Sequence, residues 1–194
     1  MILLKWSSVM AKLNDFIHVY ENALRHDVCD FVVNFFEDND RFSEKISNEG
    51  KPNFTQINLT KNRETNKLTN EVHNQLIRET FKYRDLYYDY VYKDVFPDSH
   101  AFEEFRIKKY KVGGEDRFDT HVDVKSYSSS KRFLSFFWYL NTVEEGGETE
   151  FSELIIKPKK GSLVIFPPLW IFPHKGHPPV SESKYLLSTY LHYK

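Results

Sequence analysis

The chain has 194 residues, of which 16% are aromatic with 17 Phe and 12 Tyr, and its 27 Lys and Arg against 28 Asp and Glu leave a formal net charge of −1. That length suits a single domain with a substantial core, the ring content favours strands, and the charge balance gives no global electrostatic case for a nucleic acid or a membrane as partner. Cys29 is the only cysteine, which excludes a disulfide within the chain and a cysteine-rich zinc site and points to a reducing, cytoplasmic setting.

The opening MILLKWSSVM is apolar but short and is broken by Lys5, so it lacks the build of a secretory signal, and nothing downstream reads as a membrane span. Residues 16–24 read as a strand running into a turn. RHDVCDFVVNFFEDN then places Val28, Phe31, Val32 and Phe35 at helical spacing, with Asp27 as a candidate cap and Cys29 as packing. From about 38 to 68 the chain is polar, with Phe54, Ile57 and Leu59 as its few anchors. This segment reads as loops with one or two short strands, either a substrate lid or a plain surface loop. Residues 68–95 carry the clearest helical stripe, Leu76, Ile77, Thr80, Tyr83, Tyr87 and Val91, ended by Pro97.

After Pro97 the periodicity changes. FEEFRIKKY (102–110) and RFLSFFWYLN (132–141) alternate, ELIIKPKKGSLVIFPP (153–168) gives two strands around a turn, and KYLLSTYLHY (184–193) gives a last one. Helices first and strands afterwards, without βαβ alternation, predict an α+β domain spanning 1–194 with an antiparallel sandwich or barrel. Residues 1–100 are expected to form mainly helical support and a polar loop, and 101–194 the β core.

His121 and Asp123, in FDTHVDVKSY, fall two apart, so on an extended strand they share a face and present a nitrogen and an oxygen to one point. In a chain with eight histidines such a pair is cheap. His174 follows an aromatic loop, and Lys184 lies ten residues further on. Two histidines and a carboxylate form the facial set of non-haem Fe(II) oxygenases, with three positions left open. A nearby cation then fixes the far carboxylate of a chelating acid. His177 competes with His174 but reads as a loop residue, and His18, His26, His73, His100 and His192 have no partner at ligand spacing. Gly113-Gly114 and Gly146-Gly147 read as turn formers.

Four blocks carry a resemblance: YKVGGEDRFDTHVD (110–123), YLNTVEEGGETEF (139–151), KPKKGSLVIFPP (157–168) and HKGHPPVSESKY (174–185). In order and spacing the chain, from about residue 16 onward and most densely over 102–193, resembles the prolyl 4-hydroxylase-like branch of the 2-oxoglutarate- and Fe(II)-dependent oxygenases. The resemblance implies a double-stranded β-helix (jelly-roll, cupin-like) core with N-terminal supporting helices. It implies His121, Asp123 and His174 as iron ligands and Lys184 as the partner of the C5 carboxylate of 2-oxoglutarate. Tyr110 and Tyr139 match positions whose hydroxyls reach the co-substrate, though both also suit the role of barrel filler. Ser188, on the face of Lys184, is a candidate assistant, and Thr149 matches a recurrent position that either serves the site or shapes its turn.

The implied cofactors are Fe(II) and 2-oxoglutarate, with ascorbate as reductant and O2 as the second co-substrate. The implied reaction hydroxylates an unactivated C–H, first of all on a proline in a peptide or protein, and releases succinate and CO2. A free amino acid or small metabolite is the alternative substrate. A non-catalytic metal-binding jelly-roll module and a zinc hydrolase are the rival classes. Substrate recognition falls to the N-terminal part, the polar segment and VKSYSSSKR (124–132), where Lys131 and Arg132 either meet an acidic group or are solvated.

Overall fold

RFLSFFWY alternates between two kinds of burial. Leu134, Phe136 and Trp138 join a cluster with helical residues, whereas Phe137 and Tyr139 join a second cluster. A strand covered on both faces must lie at the centre of its sheet, and in the computed structural model, which describes residues 12–48 and 52–194, this is where it lies. The expectation for residues 1–10 falls outside the described residues.

The strand is β7 (Arg132–Tyr139), paired antiparallel with β10 (Leu163–Phe166) on one side and β12 (Lys184–Tyr193) on the other. The eight-stranded sheet continues outward from β10 to β1 (His18–Tyr20). From β12 it continues through β5 (Arg106–Tyr110) and β3 (Asn53–Asn58) to β2 (Glu44–Ser47), with β4 (His100–Phe102) pairing the far end of β12. A four-stranded sheet holds, in order, β6 (Phe118–His121), β11 (His174–Gly176), β8 (Thr149–Phe151) and β9 (Leu154–Ile156). Phe151, Ile156 and Phe172 from the small-sheet side pack on Phe137, Val164, Phe166, Leu186 and Tyr190 of the large one. Two antiparallel layers closed over one interior make the expected double-stranded β-helix.

On the other face of the large sheet lie α1 (His26–Asp38) and α2 (Lys67–Val91), whose Val28, Val32, Phe35, Leu76 and Tyr87 share a core with Leu134, Trp138, Leu187 and Leu191. Of the expected stripe of α1, Phe31 is only partly buried and Cys29 and Phe36 take its place in the interior. Asp27 does not cap α1. Arg25 stands at the cap with no side-chain bond, and Asp27 in the first turn pairs with it at 2.5 Å. Helix α2 opens where Asn66 accepts from the Thr69 amide at 2.9 Å, a regular cap. It stops at Tyr92, whose φ is 134°, well before Pro97, because that backbone turn leaves the helical region first. Among the described residues no helix is long and apolar enough to cross a membrane.

The polar segment is more ordered than its composition suggests. Phe54, Ile57 and Leu59 are all buried, and β3 pairs with β2 on one side and β5 on the other. Residues 53–58 are thus part of the wall, and β1, β2 and β3 fall where a strand in 16–24 and one or two short strands in the polar segment were expected. A lid made of the whole of 39–68 is incompatible with that pairing.

The turn before β10 depends on Gly161. Its φ is +79°, a Cβ there would lie 2.6 Å from the Leu24 carbonyl oxygen, and its own carbonyl accepts from the Leu24 amide at 2.9 Å. Gly114 has φ +109° but open space around it. Both Gly→Ala changes incur positive-φ strain of about 1–2 kcal/mol. Gly161→Ala also displaces the Leu24 carbonyl, and should lose at least about 1 kcal/mol more than Gly114→Ala, comparable to one hydrogen bond. Urea unfolding of the two variants measures the difference.

Candidate metal centre

β6 and β11 are antiparallel neighbours, and their register sets His121 opposite His174. Residues directly opposite in such a pair project to the same face, and the two imidazole centres lie 4.3 Å apart. Each ring is held from behind. The Nδ1–H of His121 donates to the Asp119 carbonyl at 2.8 Å and that of His174 to the Phe172 carbonyl at 3.2 Å. A carbonyl only accepts, so both rings carry their proton on Nδ1 and leave the Nε2 lone pair toward the interior, the state a metal requires. Phe118 stacks on His121 at 3.4 Å between centres and fixes its plane.

Asp123 does not share a strand with His121 as the spacing suggested. β6 ends at His121, and Asp123 lies in the bend that follows. The bend places its carboxylate between the rings, with Oδ1 3.6 Å from His121 Nε2 and Oδ2 3.8 Å from His174 Nε2. One donor atom from each of the three residues falls within 4.8 Å of the other two. The carboxylate is further fixed by Ser135, whose Oγ donates to Oδ2 at 3.4 Å. Behind it, the Arg132 guanidinium donates to the Asp123 carbonyl at 3.2 Å and forks onto Glu103 at 2.6 and 2.8 Å. Arg132 is therefore neither solvated nor free to meet an acidic substrate.

The electrostatics are those of a buried ligand set. Burial would raise the Asp123 carboxyl, but contact with His121 and the nearby His174 and Lys108 hold it well below the usual carboxylate range. Burial pushes the His174 imidazole down to about 4, against the opposing pull of Asp123. His174 Nε2 has no hydrogen-bond partner although it is buried. A buried lone pair without a partner is costly. Two imidazoles and one carboxylate oxygen converging on one point, with that nitrogen orphaned, fit a divalent ion of the imidazole- and carboxylate-binding kind, with further positions open to the interior.

Lys184, the first residue of β12, is 2% exposed and donates to the Gly147 carbonyl at 2.6 Å. Its ammonium lies 5.4 and 5.3 Å from the ring centres of Tyr110 and Tyr139. Burial pushes it down to about 7. A cavity runs from Lys184 to the cluster, walled by Tyr110, Thr149, Phe118, Phe137 and Leu186. Tyr139 is not in that wall: its hydroxyl donates to Thr149 Oγ1 at 2.7 Å, which leaves the Thr149 proton to point at a ligand. Ser188 is buried on the expected face but does not line the cavity. Four residues along a strand place it roughly 13 Å from Lys184. His177 is half-buried and bonded to Glu150 at 2.5 Å, outside the cluster.

One charged residue of the cavity is not evident from the sequence. Lys108 faces inward beside the cluster, and burial pushes its ammonium down to about 8. The alternation of β5 was its only signal, since it puts Lys108 on the face of Tyr110 while its neighbour Lys109 pairs outward with Glu37 at 2.7 Å.

Residues 105–192 match the family model described as the 2OG-Fe(II) oxygenase superfamily. Over 94 residues, 37% of this chain, the sequence is 35% identical to a probable prolyl 4-hydroxylase 9 of Arabidopsis thaliana, and it covers 32% of that relative's length. Three solved structures share the fold. One is the viral collagen prolyl hydroxylase of Paramecium Bursaria Chlorella virus-1 in a 2OG complex, with TM-score 0.66, 20% identity, 92% of this chain and 96% of that chain covered. A Pseudomonas putida prolyl-4-hydroxylase has TM-score 0.68, 16% identity, and coverage of 92% and 93%. A Trichoplax adhaerens prolyl hydroxylase in complex with a hypoxia inducible factor peptide fragment has TM-score 0.74, 13% identity, and coverage of 92% and 84%.

If the three converging side chains form the ion site, His121→Ala, Asp123→Ala and His174→Ala should each weaken Mn(II) binding by at least about a hundredfold, the loss expected when one of three protein ligands is removed. His177→Ala should bind as the parent does. Calorimetric titration with Mn(II) checks all four, and parent-like binding in any one of the first three removes that residue from the site.

Proposed function

Residues 105–192 match the model of the 2OG-Fe(II) oxygenase superfamily, and from that match we propose that this protein is a 2-oxoglutarate- and Fe(II)-dependent dioxygenase that hydroxylates a proline in a peptide or protein. The observation that carries the reading is Lys184. A buried ammonium, bonded among the described residues only to the Gly147 carbonyl, closes a cavity whose other end is the His121, Asp123 and His174 cluster. A zinc hydrolase has no use for a cation there, and a non-catalytic module has no reason to keep it.

When bound, iron and 2-oxoglutarate supply the oxidative chemistry, which yields succinate, CO2 and a hydroxylated carbon, with ascorbate as the reductant that keeps the iron in service. The chain supplies the rest. His121, Asp123 and His174 hold the metal with Nε2 and carboxylate oxygens. Lys184 binds the C5 carboxylate in place of water, and Thr149, its hydroxyl oriented by Tyr139, is placed to donate to the same group. Tyr110 walls the pocket beside Lys184. Phe118, Phe137 and Leu186 keep the interior dry, which strengthens each polar contact inside it. Ser188 has no part in this scheme, because it stands away from the wall.

Substrate reaches the centre from an open groove that shares Asp123 with the cavity and is lined by Glu103, Glu104, Lys125, Ser126, Ser128 and Arg132. Hydroxyls and charges of both signs suit a peptide main chain better than an apolar metabolite. Related structures include one with a peptide bound, which favours the peptide reading over a free amino acid. The chain is taken as one domain in a reducing, cytoplasmic compartment, in keeping with a core that joins both helices to the large sheet and with a lone, buried Cys29.

The deciding experiment is anaerobic addition of Fe(II) and 2-oxoglutarate, which should produce a weak visible charge-transfer band that a zinc site cannot give. Succinate release against a panel of proline-containing peptides and small metabolites then selects the substrate.

Lys184→Ala should weaken 2-oxoglutarate binding by about 30-fold to a few thousandfold, since loss of a buried charged partner costs roughly 2–5 kcal/mol. Mn(II) affinity should stay near that of the parent, and Lys184→Arg should recover only part of the loss. The free ammonium titrates near 7. A bound carboxylate favours its charged form and raises that value. Binding should therefore take up a proton above pH 7 and weaken as pH rises from 7 to 9. Calorimetry in buffers of differing ionisation heat reads both effects, and pH-independent binding would refute the pairing.

A further inference from the structure

Lys108 is 8% exposed, and its ammonium lies 5.3 Å from the Phe54 ring centre and 5.9 Å from that of Phe137. It lines the cavity with the cluster and Lys184, and among the described residues it has no hydrogen-bond or ion-pair partner. Lys184 at least has the Gly147 carbonyl. The anion nearest to Lys108 in effect is Asp123, whose two oxygens already face His121 and His174. An ammonium taken largely out of water, with only the cavity in front of it and no partner, is unfavourable, and a methionine or leucine would fill the same space at less cost. The residue is therefore explained by something it binds.

The register says where. On β5 and β12, Tyr110 stands opposite Lys184 and Lys108 opposite Leu186. On β12 and β7, Tyr190 stands opposite Ser135, the residue bonded to Asp123. The inward residues 184, 186, 188 and 190 thus step from the Lys184 end toward the Asp123 end, and Lys108 stands one step along. A divalent ion at the cluster would add two positive charges near the Lys108 and Lys184 amines, against Asp123 inside the cavity and Glu103 and Glu148 acting from outside it. Such an interior demands anionic oxygen at both ends.

We propose that Lys108 is a second carboxylate-binding residue of this cavity, taking a carboxylate beside the His121, Asp123 and His174 cluster while Lys184 takes the distal one. The carboxylate has two sources, the metal-side carboxylate of the 2-oxo acid or an acidic group of the substrate. The inference rests on the proposed function, since it needs a 2-oxo acid in the cavity, or a substrate brought to it.

The test uses the Mn(II)-loaded protein, which does not turn over, and calorimetry with 2-oxoglutarate and with 2-oxobutyrate, which keeps the metal-side carboxylate and lacks the distal one. With the first source, Lys108→Met weakens both acids by about ten- to a hundredfold, the loss of one charged hydrogen bond, whereas Lys184→Met weakens only 2-oxoglutarate. With the second source, Lys108→Met binds both acids as the parent does. Peptides carrying Asp or Glu then lose about tenfold or more of their binding advantage over matched Asn or Gln peptides. Free Lys108→Met should also melt at a higher temperature than the parent, because an unpaired charge is gone. A lower melting temperature would mark Lys108 as structural and count against the proposal. Unchanged acid binding with an unchanged peptide preference overturns it. Failure of the parent to bind 2-oxoglutarate at all, seen before any variant is made, overturns the proposed function and this inference with it.

Discussion

The antiparallel register of β6 and β11, which sets His121 across from His174, is the constraint on which the site depends. A slip of one residue would turn one ring to the opposite face of the small sheet. Because the pair is fixed by backbone bonds, the rings need no mutual attraction to stay 4.3 Å apart. Their Nδ1 protons are taken by carbonyls two residues upstream in each case, Asp119 and Phe172. The same local device thus orients both lone pairs. Asp123 completes the set only because the chain leaves the sheet after His121. Continued as a strand, residues 122 and 123 would have carried the carboxylate along the sheet and away from the midpoint of the rings.

What the sequence made legible follows from how local each signal was. β12 runs over the residues that alternation assigned, 184–193, because its two faces meet different clusters throughout. The α2 stripe was equally clear, since Leu76, Thr80, Tyr87 and Val91 all face one core. The small sheet was not legible strand by strand. β6, β8 and β11 are three or four residues long, too short for a period to show. They were reached instead through the motifs they carry. The short strands expected in the polar segment are present, but their place inside the large sheet was not legible. The segment's three apolar anchors looked sparse in a composition count, yet they are what an internal strand needs on its buried side, and the pairing of β3 with β5 is a long-range event invisible to any window.

The site residues divide along the same line. His121, Asp123, His174 and Lys184 were found through spacing and resemblance, and the fold brings all four to one cavity. Tyr139 and Ser188 were matched by position but stand behind or beyond the wall. Thr149, which the resemblance left undecided, is in it. Lys108 was missed because Lys108 and Lys109 are indistinguishable in a list of residues and differ only in parity. One meets Glu37 at the surface, and the other meets aromatic rings and the cluster.

Two compartments meet at Asp123, and their electrostatics differ in kind. The inner cavity is lined by Lys108 and Lys184 among aromatic and aliphatic side chains, so charge inside it is weakly screened and the demand for anionic oxygen is strong. The groove outside is open, with Arg132 locked to Glu103 and serine hydroxyls between. An anion therefore gains far more in the cavity than in the groove. A neutral, hydrogen-bonding chain loses little by lying in the groove and much by entering the cavity. In the proposed scheme this difference alone assigns the small dianion to the inside and the peptide to the outside. Asp123 then serves both, its side chain turned to the metal and its carbonyl tied to the arginine that floors the groove.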